Sequence, residues 1–166
     1  MLPIVLLAVH ALMAPARAGG VCSPHLFVLE RSTNANIVVY DAKRLPAGDL
    51  DPAKPVVAYW IRNAEKGQRK ELNAIQWSRA YGFDTEPATE PGTHRMTFKA
   101  KLDRSFVVQI IDGCPAAVTR IAGQEAILRR VYVHVKTTFF LPSVESIEMF
   151  GDDLETGAPV HDEFRP

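Results

Sequence analysis

"VVAYWIRNAEKGQRKELNAIQWSRAYGF", Val56–Phe83, changes its hydrophobic period partway along. Val56 to Asn63 reads as a strand ending in a Tyr-Trp pair, and a charged loop follows it. Then Leu72, Ile75, Gln76 and Arg79 fall at i, i+3, i+4 and i+7, the spacing of one helix face, with Gly82 at the C-cap position. A helix this short is unstable in isolation. It is therefore expected to lay Leu72, Ile75 and Trp77 onto a sheet and to cap one end of a β structure.

Outward from this stretch the pattern is mostly period two, broken by turn residues. His25–Arg31 and Ile37–Ala42 flank the turn "STNAN" as a hairpin, and the proline-rich loop Arg44–Pro55 leads into Val56. Beyond the helix, "YGFDTE" begins a fourth strand and "EPATEPGT" is a second proline-rich loop. "HRMTFKAKL" alternates, with Met96, Phe98, Ala100 and Leu102 opposite Arg95, Thr97, Lys99 and Lys101. "FVVQIIDG" is apolar on both faces apart from Gln109 and is expected to be a central strand covered on both sides. "PAAVTRIAG" and "EAILRRVYVHVKTTFF" follow, with Gly113 and Gly123 at turns, and "VESIEMFG" and "APVHDEFRP" close the chain around the acidic turn "DDLETG". The expected fold is mainly β: an antiparallel barrel or sandwich of eight to ten strands, with one short helix between the third and fourth.

At 166 residues the chain suits one domain, and 47% hydrophobic with 23% charged residues fits neither a disordered nor a membrane-embedded class. Its 19 basic and 19 acidic residues leave no electrostatic footprint for nucleic acid. "MLPIVLLAVHALMAPARA", residues 1–18, joins an apolar run to Ala16-Arg17-Ala18, the small-x-small pattern of a cleaved signal peptide. The apolar run is short for a membrane span. Residues 19–24 then form a short tail, 25–166 a single β domain, and the expected location is the periplasm or the extracellular space, without stable membrane insertion. In such an oxidising compartment Cys22 and Cys114 form the candidate disulfide. On the chain-entropy model that crosslink is worth on the order of 4 kcal/mol.

Through "LFVLERSTNANIVVYDA", "YWIRNAEKGQRKELNAIQWSRAYGF" and "MFGDDLETGAPV" the chain resembles the bacterial family known as domain of unknown function 4833. The resemblance runs from Leu26 to Phe164, with its most specific block at Tyr59–Phe83. It implies an exported or envelope-associated domain and brings no activity, cofactor or catalytic residue.

The residues themselves lack Gly-x-Ser-x-Gly, Ser-x-x-Lys, Cys-x-x-Cys, His-Glu-x-x-His and a phosphate-binding glycine loop, so the common hydrolase, redox, zinc and nucleotide templates fail. No catalytic residue, cofactor or metal is assigned. His134, on a strand face with Tyr132, is the one candidate acid or base, and would need a nearby carboxylate, with Arg31 or Arg79 to hold an anion. "GDDLETG" gathers Asp152, Asp153 and Glu155, but its spacing is that of turn chemistry rather than a calcium loop. The strongest ligand-binding candidates are Tyr59, Trp60, Arg62, Asn63, Gln76 and Arg79, which concentrate donors and aromatic faces around the helix. Tyr59 and Trp60 point to opposite sides of their strand, one toward the core and the other toward the helix, a ligand or a partner. The expected function is a non-catalytic exported binding or interaction module for a small molecule, glycan or protein. The alternatives are an enzyme built on His134 or a purely structural envelope protein.

Overall fold

The computed structural model describes residues 22–100, 104–138 and 141–166. The expected signal peptide, and Lys101 and Leu102 of the alternating strand, lie outside the described residues. In chain order the elements are β1 (His25–Arg31), β2 (Asn34–Ala42), β3 (Val56–Arg62), a 3-10 turn (Asn63–Glu65) and β4 (Gln68–Glu71). The helix α1 (Ala74–Gln76) then runs directly into a π-turn (Trp77–Tyr81). There follow β5 (Phe83–Pro87), β6 (His94–Phe98), β7 (Phe106–Ile111), β8 (Cys114–Ile121), β9 (Gln124–Thr138), β10 (Leu141–Asp153) and β11 (Pro159–Phe164).

All the strands join one curled sheet with the order β4-β3-β2-β1-β9-β8-β7-β6-β5, and β10 and β11 extend from β9. Nearly every pairing is antiparallel, but β1 runs parallel to β9, from Val28 opposite Arg130 to Arg31 opposite Val133. The long β9 organises the whole. β10 follows one of its edges from Ala126 to Thr138. The other edge is shared end to end by β8, at Gln124–Ile127, and β1, at Arg130–Val133. Two wings diverge from this seam, β1–β4 on one side and β5–β8 on the other.

The wings close over an aromatic core because strands such as β1, β2 and β6 bury apolar residues on one face. Phe27 of β1 stacks on Tyr40 of β2 at 4.5 Å between ring centroids and reaches Phe106 of β7 at 6.1 Å. Phe98 of β6 meets Tyr40 and Phe106 edge-on at 5.5 and 5.3 Å. Each such buried ring contributes roughly 1.5–3 kcal/mol through removal from water. Tyr40 is fully buried, and its hydroxyl donates to the backbone oxygen of Tyr81 at 2.9 Å, tying the core to the π-turn. Cys22 is bonded to Cys114, joining the approach to β1 with the start of β8. Among the described residues no helix is long and apolar enough to cross a membrane.

The mainly β architecture stands, with four differences of detail. The charged loop after β3 forms the 3-10 turn and then reverses through Lys66 and Gly67, both at positive φ, so that β4 pairs back on β3. There are thus eleven strands among the described residues, and the helix lies between the fourth and fifth. It spans from the last strand of one wing to the last strand of the other, which is why a β chain carries one short helical turn there. Ile75 does not lie on the sheet. It is 70% exposed, whereas Leu72, Trp77 and Ala80 pack against the core. Gly82 does end the helical segment, but with φ −70° rather than a left-handed conformation. Finally, β7 lies inside the order, but only Phe106 and Val108 are buried and its other residues are half-buried, so it is not covered on both faces.

Candidate functional site: a polar recess beside the helix

Trp60 projects from β3 toward the core and packs edge-on against Tyr81 at 5.0 Å. Arg31, the last residue of β1, lays its guanidinium 5.7 Å from the Trp60 ring and 5.1 Å from the Tyr81 ring. Asn34 and Asn36 enter from β2, Lys70 and Glu71 from β4, and Asn73 and Gln76 from the start of the helix. Together with Arg62 they enclose a recess of about 200 Å3. The helix start is held by a reciprocal pair: the Gln76 N–H donates to Asn73 Oδ1 at 2.9 Å, and the Asn73 N–H donates to Gln76 Oε1 at 3.0 Å.

Three buried polar atoms of this recess, Arg31 Nε, Asn36 Oδ1 and Trp60 Nε1, have no hydrogen-bond partner among the described residues. Each such group costs about 1–3 kcal/mol when left unpaired. Two donors and one acceptor without partners thus belong to residues that line one concavity. The charge is biased positive: Arg62 is paired with Glu65, while Arg31 and Lys70 enter no ion pair among the described residues and Glu71 is the recess's acidic member.

Of the six candidate residues, the recess brings together Trp60, Arg62 and Gln76. Tyr59 sits on the opposite face and is buried rather than free. Its hydroxyl donates to Asp41 Oδ2 at 2.8 Å beneath the Arg69 guanidinium, 3.5 Å from the ring. Burial, and then the hydrogen bond to Asp41, push its pKa up to about 12. Asp41 also meets His25 Nδ1 at 2.5 Å, and His25 and Tyr59 line a separate concavity of about 530 Å3. Asn63 Nδ2 donates to the Ala35 oxygen at 2.8 Å and fastens the 3-10 turn to the start of β2. Arg79 faces away from the recess into a third cavity, shared with Arg31 and Tyr81. The recess residues missed as ligand contacts are Asn34, Asn36, Lys70, Glu71 and Asn73. The first pair reads as turn and the rest as charged loop, so the signal available was their polarity alone.

His134 does have a carboxylate. Its Nε2 meets Glu148 Oε1 at 2.6 Å, and His161 Nε2 meets Glu148 Oε2 at 2.8 Å, so one carboxylate of β10 bridges β9 and β11 along diagonal cross-strand positions. The His134 hydrogen bond, with a further one from His161, holds the Glu148 carboxyl below its usual range. None of the three cavities described above is lined by these residues. In "GDDLETG" Asp153 Oδ1 accepts from the N–H groups of Glu155 and Thr156 and from the Thr156 hydroxyl, which is turn chemistry. No group of three or more His, Cys, Asp or Glu among the described residues is placed to hold a metal ion.

Comparison of the chain with curated proteins and with solved structures finds no match. Residues 27–163 match the sequence model of the family described as Domain of unknown function (DUF4833), from within β1 to within β11, and the chain belongs to that family.

Proposed function

We propose that the protein is an exported, non-catalytic binding module whose site is the polar recess between β1, β2, β4 and the start of the helix. One observation carries the reading: Arg31 Nε, Asn36 Oδ1 and Trp60 Nε1 are buried without partners, and all three residues line that recess. Unsatisfied buried polar groups are rare in folded proteins, and a ligand that pairs them offsets their cost. The ligand must accept from Arg31 and Trp60 and donate to Asn36, and the positive bias selects an acid. A small hydroxylated acid, such as an acidic sugar unit, meets all three requirements. The Cys22–Cys114 bond supports an oxidising compartment.

Ligand-observed NMR of the purified protein against pooled sugars, sugar acids, amino acids and short peptides tests this. A binder should emerge among the acids and lose at least about tenfold in affinity in Lys70→Ala and in Asn36→Leu. Both residues lie at the recess without filling the core, so these variants should fold. The reading fails if no acid binds, or if both variants bind as the parent does.

The rival reading, an enzyme built on His134, gains one observation, the Glu148 carboxylate held between two imidazoles. It requires a substrate-sized cleft at that position, and a turnover that Glu148→Gln abolishes.

A further inference from the structure

The cavity on the other side of Arg31 differs in chemistry from the recess. It measures about 370 Å3, within the range of small-molecule sites, and opens between the π-turn, the end of β1, β9 and β10. Its walls are apolar: Leu29, Phe98, Val133 and Ile147 come from the core cluster or pack against it, and Val135 and Val144 continue the surface outward. Val144 is 46% exposed, an uncovered apolar side chain at this opening.

This apolar lining also includes Arg31, Arg79, Tyr81, Ser143 and Pro166, and no Asp or Glu side chain; the Ser143 hydroxyl donates to the Lys136 oxygen. Arg31 and Arg79 line it, and neither enters an ion pair among the described residues. Tyr81 lines it as well. Tyr81 is 4% exposed, and its hydroxyl is a buried atom without a hydrogen-bond partner. Burial raises the Tyr81 pKa, so at neutral pH the phenol keeps its proton and stands as a donor. A hydrocarbon chain alone would leave that hydroxyl and both guanidinium groups unanswered. A polar anion alone would leave the aliphatic walls wet.

We propose that this cavity binds an aliphatic carboxylate, a medium-chain fatty-acid anion. Its alkyl chain lies along Leu29, Val133, Val135 and Ile147, and its carboxylate accepts from Tyr81 and pairs with Arg31 and Arg79. The site is separate from the polar recess: the two share Arg31, but Arg79 and Tyr81 line this cavity, and Asn36 and Lys70 line the other.

Calorimetric and NMR titration of the purified protein with decanoate, decanol and acetate reads out both halves of the idea. Decanoate should bind with amide shifts centred on Val133, Val135 and Ile147, and decanol and acetate should each bind at least about tenfold more weakly. Arg79→Ala removes an exposed, unpaired cation, and Tyr81→Phe removes a hydroxyl that bonds nothing, so neither should lower the melting temperature. Each should weaken decanoate severalfold, and Asn36→Leu should leave it unchanged. Decanol binding as tightly as decanoate, affinity indifferent to both Arg79→Ala and Tyr81→Phe, or no decanoate binding at millimolar concentration would each overturn the proposal.

Discussion

A Cβ atom built on Gly82 would stand 1.9 Å from the backbone oxygen of Trp77. Gly82 has an ordinary extended backbone, so it is required here by close approach and not by conformation. The π-turn swings the Trp77 carbonyl against the chain as it leaves for β5.

Gly82→Ala should therefore cost on the order of 3 kcal/mol, since neither backbone can retreat without disturbing Trp77 and Tyr81. Gly92→Ala is the control: Gly92 has φ +76° but nothing within 4 Å of its added Cβ, and strain alone should cost roughly 1–2 kcal/mol. Urea midpoints at equal slope measure both. A Gly82→Ala protein as stable as the parent would mean that the turn rearranges freely.

Reduction, or the double change Cys22→Ser with Cys114→Ser, should remove on the order of 4 kcal/mol, because the bond constrains a long unfolded loop. Denaturation with and without reductant measures this. The double variant should show no further response to reductant.

Glu148 sets an acid limb. Its carboxyl titrates below the usual range, first through the His134 hydrogen bond and then through that of His161. The resulting stabilisation is present above the ordinary glutamate pKa and is lost as pH falls through the lower value of the folded protein. Glu148→Gln should flatten the fall in stability between about pH 5 and pH 3, as measured by urea unfolding across that range. An unchanged acid limb would show that the bridge contributes nothing.

Tyr59 sets an alkaline limb of opposite sign. With the phenol raised from 10.0 to about 12, folding favours the protonated ring. Its contribution is complete below pH 10 and disappears as the pH rises toward 12. Phenolate absorbance should show Tyr59 titrating late in the folded protein, and Tyr59→Phe should remove that step. Tyr40, buried in the core, should ionise only on unfolding.

The β body was legible because its strands bury one face, so period two is written into residues such as Met96 and Phe98 against Arg95 and Thr97. β4 was not legible. Gln68–Glu71 is exposed throughout, a charged edge strand in which alternation has nothing to report. The helix was recognised but its facing was not. Leu72 precedes the cap residue Asn73 and so stands outside the helix, and the π-turn after Gln76 breaks the 3.6-residue period that would have placed Ile75 beside Arg79. Half of the candidate ligand residues met in one recess because Trp60, Arg62 and Gln76 belong to elements that the sequence did place. Asn36 and Lys70 joined them through a hairpin register and an edge pairing that no local pattern encodes.

The parallel ladder between β1 and β9 sets an order of events during synthesis. Residues 28–31 wait for partners about a hundred positions downstream, so the first hairpins emerge with an apolar border that nothing yet seals. Contacts this distant in sequence slow folding, and an open strand border invites other chains. Completion must lag until residue 133 has been delivered, and a chain cut before that point should be captured by chaperones or by its own neighbours.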